Sequence, residues 1–482
     1  RRITIMKRKI ALALTMAMLG TCLAGCGQAD TDTNASTEAK DTTAAAGTAA
    51  AETTESEKEW YGTEDGKTIT LHFWGANFNE EYKDKGLQVE YVRYVNDDNG
   101  NLQLETYLMG GGDVDLFIGY GGRTKMDKRV DSNLLLDMSG MLNDIGFNLD
   151  DELGVANMAE YHYDDGAVYG FPTKYENSRW ILINEDMFKE AGLDIPYDGW
   201  TYSEFLADAE KLTHGEGQDK VYGVCWARKQ SGKSILYALD GVLGANQIYK
   251  NEEGTEVNFD NDVYRAGLNL VKETLDKGYA IPIEDEFSED ISVANTFLQG
   301  KCAIMLGVAQ MRLCMDQENY PHDFMTALVP APVPDDEKYN TEFYRKQIGT
   351  TGAGDLLSIS ANTKYPEASF EFAMWYLKGG MSPLVQGGRI PLWNGVNKDE
   401  VLSVLKEKAQ GSIDMDSMEN YLSLDTTQGV AAIKGHASSE ISSAWFEEFD
   451  AMCYGKQSVD QTVQNMEKRG NELIQTELSS QK

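Results

Sequence analysis

Short apolar segments that stop at a glycine recur along this chain and alternate with helical patterns. Segments 67–75 (KTITLHFWG), 113–122 (DVDLFIGYGG) and 301–307 (KCAIMLG) each carry a few residues of strand pattern followed by glycine. In TYSEFLADAEKLT, Thr201 precedes Glu204 by three residues, which is a capping box and predicts the start of a helix. Strands that alternate with helices favour α/β lobes whose strand ends face a shared cleft.

Other segments extend the same pattern and contain no tandem repeat. Strands are predicted in GAVYGFPTKY (166–175), RWILINEDMF (179–188), TALVPAPV (326–333) and GDLLSIS (354–360). Helices are predicted in LLLDMSGMLNDI (134–145), DMFKEAGL (186–193), NDVYRAGLNLVKETLDKG (261–278), ISVANTFLQG (291–300), KYPEASFEFAMWYLKG (364–379) and SVDQTVQNMEKRGNELIQTEL (458–478).

The first 25 residues have the pattern of a signal peptide. Basic residues follow Met6, and a short apolar run and small residues then lead to Cys26. That run is shorter than the roughly 20 residues of a membrane-spanning helix. The sequence LAGC resembles the lipobox of bacterial lipoproteins, which implies that Cys26 carries the lipid. The alternative is an ordinary secreted protein that is cut nearby.

Residues 26–59 consist mainly of Thr, Ala, Ser, Asp and Glu and have almost no large apolar side chain. Such a segment cannot bury enough surface to offset its ordering entropy, so we expect a disordered linker. Residues 60–482 form the folded part, and their number exceeds the usual size of one domain, which favours two lobes.

The net charge of −35 argues strongly against nucleic acid as a partner, because phosphates would be repelled. Besides Cys22 and Cys26 the chain has four cysteines, and their apolar neighbours favour buried free thiols over a disulfide framework: Cys225, Cys302, Cys314 and Cys453. A single bridge, such as Cys302 with Cys314, stays open.

Several segments, in this order, resemble the extracellular solute-binding proteins of ABC importers, in the large family that binds maltose and other oligosaccharides. The most specific is YGFPTKYENSRWILINEDMFKEAGLDIPYDGWTYSEFLADAEKLT, and FLQGKCAIMLG, ALVPAPV, GAGDLLSISANTKYPEASFEFAMWYL and YGKQSVDQTVQNM follow it. The resemblance spans about residues 67 to 475. It departs from the family pattern where Trp200 precedes Thr201 and where Glu185 replaces a common lysine.

The resemblance implies a periplasmic-binding-protein-like α/β fold, in which crossing hinge strands join two lobes around a ligand cleft. It places crossings near residues 172–176, 328–332 and 379–385. The first lobe then contains about residues 60–174 and 331–380. The second lobe contains about residues 175–330 and 381–482.

A sugar presents apolar C–H faces and rings of hydroxyls, so its receptor needs aromatic plates together with polar side chains. The loops where the family binds its ligand supply both kinds of residue here. The candidates are Trp74, Asn77, Asn79, Tyr120, Arg123, Tyr175, Glu176, Asn177, Trp226, Arg228, Gln230, Gln310, Trp393, Asn394 and Trp445. Each tryptophan has a structural alternative as a core residue, and we assign Trp200 and Trp375 to structure.

These features predict a monomeric receptor, lipid-anchored at the extracellular face of the cell membrane, that binds a carbohydrate and delivers it to the permease of an ABC importer. We expect no cofactor, no metal and no catalysis, because G-x-S-x-G, H-E-x-x-H and phosphate-loop motifs are absent and the five histidines lack metal spacing. The alternatives are a receptor for a peptide, polyamine or aromatic solute, and a secreted glycan hydrolase with paired carboxylates.

Overall fold

The structure, a computed structural model, describes residues 69–74, 87–91, 98–112, 114–119, 122–177, 179–228, 248–288, 292–346, 353–380, 385, 388–409, 411–423 and 435–480. All of them belong to one compact unit, Glu59–Lys482. The predicted signal peptide, the predicted lipid anchor at Cys26 and the predicted linker lie outside the described residues.

Strands and helices alternate along the described residues, as the sequence predicts. The strands are β1 Ile69–Trp74, β2 Leu87–Tyr91, β3 Leu116–Gly119, β4 Phe171–Tyr175, β5 Trp180–Asn184, β6 Tyr222–Cys225, β7 Cys302–Leu306, β8 Thr326–Pro330, β9 Ala353–Ile359 and β10 Ile390–Pro391.

The α-helices range from one turn to six turns in length. In the first half of the chain they are α1 Asp98–Met109, α2 Gly122–Asp131, α3 Ser139–Asp144, α4 Leu149–Leu153, α5 Val155–Met158, α6 Glu185–Glu190 and α7 Tyr202–Leu212. In the second half they are α8 Asp262–Asp276, α9 Ile283–Ser288, α10 Val293–Leu298, α11 Met311–Cys314, α12 Glu342–Arg345, α13 Pro366–Trp375, α14 Lys398–Ala409, α15 Met415–Leu422, α16 Ser438–Cys453 and α17 Val459–Ser480.

The strands form two separate sheets, one in each lobe. The first has the order β10-β4-β9-β3-β1-β2 and the second the order β6-β7-β5-β8. In the first sheet β1 pairs in parallel with β2 and β3, whereas β9 runs antiparallel to both β3 and β4. In the second sheet β6 and β7 are parallel, and β5 runs antiparallel to β7 and β8. The predicted two-lobed α/β fold is confirmed.

The chain passes between the two sheets more than once. It leaves the first sheet after β4, enters the second at β5, and returns between β8 and β9. Ile390 of β10 still pairs with Tyr175 in the first sheet. The passage back to the second lobe therefore follows residue 391, whereas the sequence placed it near 379–385.

A local side-chain signal explains where helix α7 begins. At α7, Thr201 Oγ1 accepts a hydrogen bond from the Glu204 amide over 3.3 Å, and Glu204 Oε2 accepts one from the Thr201 amide over 2.7 Å. The predicted capping box is thus present.

The helix predicted across 134–145 is shorter than expected. Leu135 forms a bridge with Ser360, and only Ser139–Asp144 is helical.

Strands β3, β5, β7 and β8 are buried at every residue, as expected for strands covered on both faces. Helix α7 packs closely on β6, where a Cβ atom on Gly223 would lie 2.3 Å from the carbonyl oxygen of Ala209. Glycine is therefore required at that point. The long helices α16 and α17 pack against each other and against α8, which completes the second lobe.

Two of the cysteines form a disulfide that the sequence did not predict. Cys225 of β6 is bonded to Cys302 of β7, with 6.3 Å between their Cα atoms. The alternative of a single bridge, which the sequence left open, is thus present, but Cys302 is bonded to Cys225 and not to Cys314, and the favoured prediction of free thiols is wrong for Cys225 and Cys302. Cys314 is a buried free thiol, as predicted, and Cys453 is free and partly buried.

Candidate functional site

The directions of the strands bring several of the predicted ligand residues to two sheet edges. Because β1, β3 and β4 run the same way in the first sheet, Trp74, Gly119 and Tyr175 end at one edge. In the second sheet the carboxyl ends of β6, β7 and β8 share an edge with the amino end of β5. Tyr175 and Trp180 belong to these two edges and are only five positions apart, so the edges are neighbours.

A pocket opens beside this crossing, with an empty volume of about 520 Å³ that includes open solvent. Its lining is mostly apolar, with a few polar groups, as in small-molecule sites. The lining residues are Tyr175, Ile390, Pro391, Leu392, Trp393, Asn394, Val396, Lys398, Val401 and Leu422. The pocket therefore joins strands of the first sheet to helices α14 and α15, and it contains three predicted residues, Tyr175, Trp393 and Asn394.

Helix α4 holds the loop that carries Trp393 and Asn394. Trp393 donates from Nε1 to Glu152 Oε2 over 2.6 Å, and the Asn394 amide donates to the Glu152 carbonyl oxygen over 2.9 Å. Asn394 Nδ2 also donates to the Asp151 carbonyl oxygen over 3.2 Å. The indole is thus held in one orientation while it stays half-buried at the pocket wall.

Tyr175, the last residue of β4, also lines the pocket. Its side chain is buried, and burial raises the pKa of its phenol well above the usual range. Asn177, two residues later, is also buried, and its Oδ1 accepts a hydrogen bond from the Arg179 amide over 3.0 Å. These residues give the crossing a defined conformation next to the pocket.

Charged side chains around the crossing are paired with one another. Lys174 Nζ lies 2.6 Å from Glu176 Oε2 and 3.9 Å from Asp355 Oδ1, and Arg389 forms an ion pair with the same Asp355. Asp355 has a φ of 53° inside β9, a conformation that side chains rarely adopt and that concentrates at functional sites. The predicted residue Glu176 is therefore part of an ion-pair network.

Arg228 occupies the corresponding edge of the second lobe, shortly after β6. Its Nε and Nη2 atoms donate to the two carboxylate oxygens of Asp450 over 2.8 and 2.9 Å. Its guanidinium carbon lies 4.1 Å from the Phe446 ring centroid and 5.6 Å from that of Phe287. Phe287 is 42% exposed, so an aromatic ring is accessible here.

Sequence reasoning missed Phe287, Phe446 and Asp450. Phe287 reaches this edge because the Ile281 amide donates to the Val224 carbonyl oxygen of β6 and α9 begins two residues later, a long-range contact that the sequence does not show. For Phe446 and Asp450 the chain offers no local signal, since their position depends on how α16 packs. Lys398 and Leu422 of the pocket lining were also missed.

Two predicted stacking residues lie in the core of the second lobe. Trp226 is 1% exposed, and its Nε1 donates to Thr274 Oγ1 over 2.9 Å. Trp445 is also buried and stacks on Phe449, with ring centroids 4.9 Å apart. Both indoles are covered by protein and neither lines the pocket described above, and ligand contact by either one stays a prediction.

The remaining predicted residues are spread over both lobes. Arg123 lies in α2 and donates to the carbonyl oxygens of Glu160 and His162 over 2.6 and 3.0 Å, with the Tyr163 ring 3.9 Å from its guanidinium. Gln310 ends the 3-10 turn that follows β7 and is half-buried. Asn77, Asn79, Tyr120 and Gln230 lie outside the described residues.

Two further properties of the described residues bear on function. Within the described ranges, no group of three or more His, Cys, Asp or Glu side chains could hold a metal ion. In the same part of the chain, every helix is too short or too polar to cross a bilayer.

Comparison with known proteins connects this architecture to a family. A sequence model of bacterial extracellular solute-binding proteins matches residues 59–378. Among solved structures, a sugar transporter from Rhizobium etli in an open conformation is 17% identical with a TM-score of 0.62, over 84% of this chain and 99% of that chain. An ABC substrate-binding protein from Listeria monocytogenes in complex with cycloalternan gives the same identity and TM-score, over 84% and 98%.

A third similar structure is the GacH receptor of Streptomyces glaucescens, solved unliganded and in complex with acarbose. It is 17% identical with a TM-score of 0.61, over 85% of this chain and 99% of that chain. At such identity these structures show a shared fold. The match of the family model covers well over half of the chain, which therefore belongs to the bacterial extracellular solute-binding proteins.

Proposed function

We propose that this protein is an extracellular receptor that binds a carbohydrate between its lobes and delivers it to an ABC import permease. The observation that carries the proposal is the pocket at the first crossing, where Tyr175, Trp393 and Asn394 meet. An indole offers a flat apolar surface to the C–H face of a sugar, and the amide and lysine groups nearby can bind hydroxyls.

The similar structures support this choice of ligand. The Listeria protein is in complex with cycloalternan, the Streptomyces protein with acarbose, and a protein from Agrobacterium vitis has bound D-mannitol. All three ligands are rich in hydroxyl groups. The pocket of this chain has the mixture of apolar wall and polar groups that such ligands require.

The charges disfavour a polyamine, because the charged side chain in the pocket lining is a cation, Lys398, which donates to the Leu422 carbonyl oxygen over 3.2 Å. Lys174, Arg389 and Arg228 are each paired with a carboxylate, so these cations and anions compensate one another. A charged solute would have to disrupt these pairs or remain uncompensated. We therefore rank a neutral saccharide first and a peptide, polyamine or aromatic solute second.

We propose that the second lobe contributes Arg228, Phe287 and Gln310 when the cleft closes. A ligand that contacts both lobes binds the closed form more tightly and shifts the population towards it. The permease would then recognise the closed form. We propose no catalytic step and a monomeric state.

The proposed location follows from the amino-terminal sequence. We propose that residues 1–25 are removed as a signal peptide, that Cys26 is acylated, and that residues 26–59 tether the receptor to the membrane. Detergent-phase partitioning of the wild type and of Cys26→Ser tests the anchor. Equal partitioning of the two proteins would contradict it.

Binding is tested by thermal shift with maltose, cellobiose, raffinose, D-mannitol, trialanine and spermidine, followed by calorimetry. We expect saccharides to raise the Tm and Trp393→Ala to abolish that rise. Trp375→Ala is the matched control, because Trp375 lies on α13 and does not line the pocket. A rise confined to spermidine or trialanine would contradict the carbohydrate proposal.

A further inference from the structure

Tyr421 lies at the first crossing, although no sequence pattern marks it for a role there. It is the penultimate residue of α15, and its side chain is 1% exposed. Helix α15 belongs to the second lobe, since the Leu328 amide of β8 donates to Ser417 Oγ over 3.0 Å. Tyr421 is thus a second-lobe residue.

The ring of Tyr421 lies between aromatic residues of both lobes. Its centroid is 5.1 Å from that of Tyr175, the last residue of β4, and 5.3 Å from that of Trp180, the first residue of β5. Those two residues mark the two ends of the first crossing. One side chain therefore contacts the chain just before it leaves the first sheet and just after it enters the second.

The phenol oxygen of Tyr421 also binds the backbone of the crossing. It accepts a hydrogen bond from the Asn177 amide over 2.8 Å. Asn177 is buried, so its amide would lose its acceptor without access to bulk water if the hydroxyl were removed. Burial also raises the pKa of Tyr421 well above its ordinary value, so the group stays a neutral phenol at physiological pH.

The same helix end reaches the proposed ligand pocket. Leu422, the next residue, lines the pocket together with Tyr175. The ring that packs against Tyr175 at the end of β4 therefore also fixes the position of a second lining residue. A change at Tyr421 would reach the ligand through Tyr175, through Leu422 and through the backbone of the crossing.

We infer that Tyr421 is a positioning residue for ligand binding, which holds the Tyr175 ring and the first crossing in the geometry that forms the pocket. The inference rests on the proposed ligand site but not on the chemical class of the ligand. A residue with a purely structural role would lower stability when changed and would leave affinity unaltered.

The experiment compares full-length wild type with Tyr421→Phe, which keeps the ring and removes the hydroxyl. Tyr249→Phe is the matched control, since Tyr249 is also buried and its hydroxyl donates to a backbone oxygen, that of His436, over 2.8 Å. Tyr421→Leu removes the ring as well. Kd is measured by calorimetry with whichever of the six panel solutes most raises the wild-type Tm.

We expect Tyr421→Phe to weaken binding about tenfold and Tyr421→Leu to weaken it further, because a looser crossing must be ordered when the ligand binds. In ligand-free protein, hydrogen exchange of the peptide that contains Asn177 should accelerate in both variants. Tyr249→Phe should leave both the Kd and that exchange rate unchanged.

Two results would overturn the inference. One is that the peptide containing Asn177 exchanges its amide hydrogens in Tyr421→Phe at the same rate as in the wild type. This measurement needs no ligand. The other is faster exchange with a Kd within about twofold of wild type, which would make the role structural only. Failure of every saccharide to bind the wild type would instead contradict the carbohydrate proposal. The exchange and Kd measurements on Tyr421 would then be made with the solute that does bind.

Discussion

Trp393 and Glu152 are joined by a hydrogen bond of 2.6 Å between the indole Nε1 and the carboxylate Oε2. The bond connects the loop after β10, which lines the pocket, to helix α4, which is far away in sequence. An indole that is held in this way needs little further ordering when a flat ligand face packs against it.

Loss of this bond should weaken ligand binding. Glu152→Ala removes the acceptor, and we expect a cost of about 1 kcal/mol in binding free energy, or roughly fivefold in Kd. Glu152→Gln keeps an acceptor oxygen and should stay close to wild type. Calorimetry on both variants checks this, with the exposed Glu190→Ala as control. Equal affinities for Glu152→Ala and wild type would show that the ring needs no support.

Arg228 and Asp450 provide a second prediction. Asp450→Asn should lower the free energy of unfolding by about 1 to 2 kcal/mol, because a bidentate, largely buried pair loses its charge complement. It should also weaken ligand binding if Arg228 contacts the ligand. Urea unfolding and calorimetry measure the two effects. Asp460→Asn is the control, since Asp460 is 73% exposed in its ion pair with Arg265 and should change little.

Removal of the disulfide should strongly lower the free energy of unfolding. Cys225 and Cys302 are separated by 77 positions, and chain entropy alone then gives a contribution on the order of 4 kcal/mol. The double change to alanine should therefore lower the Tm strongly, and each single change should have nearly the same effect. Cys453→Ala is the control. Failure to recover a linked peptide pair containing Cys225 and Cys302 by mass spectrometry would contradict the assignment.

Asp208 on α7 predicts a dependence of stability on pH. Burial, with smaller contributions from Glu204 and Asp194, raises its pKa from 3.8 to about 6. Between about pH 4 and 6 the folded state then holds more protons than the unfolded state, so this group's contribution to stability falls as the pH rises through that window.

Asp208→Asn should remove the loss of stability that ionisation of Asp208 causes as the pH rises. We expect the variant to exceed wild type by about 1 kcal/mol at about pH 7.5, after allowance for solvent screening, and to match it near pH 4. Urea unfolding at the two pH values measures the difference. The same change at exposed Asp219 is the control. A constant difference at both pH values would contradict the raised pKa.

The order of strands and helices could be predicted because each element is determined largely by residues close to it in sequence. The capping box at Thr201, the apolar runs that become β5, β7 and β8, and the amphipathic repeat of α8 all depend on neighbours within a few positions. The pocket residues Tyr175, Trp393 and Asn394 were predicted from their loop positions, and the structure brings them together. Their contact with a ligand stays a prediction.

The remaining features depend on packing between distant segments. Trp226 is buried because Thr274 and Phe205, from two different helices, enclose it. Cys225 is bonded to Cys302 because β6 and β7 are neighbours, which no spacing rule shows. Tyr421 contacts the crossing only because α15 packs on β8. Local patterns contain no information about such partners.

Strand β9 lies between β3 and β4 in the first sheet, although the whole four-stranded sheet precedes it in the chain. A polypeptide that is synthesised from its amino terminus therefore exposes a gap between β3 and β4 until residues 353–359 have been made. The amino-terminal lobe cannot finish folding before then, so its unpaired strand edges are open to aggregation for most of the time that synthesis of the chain takes.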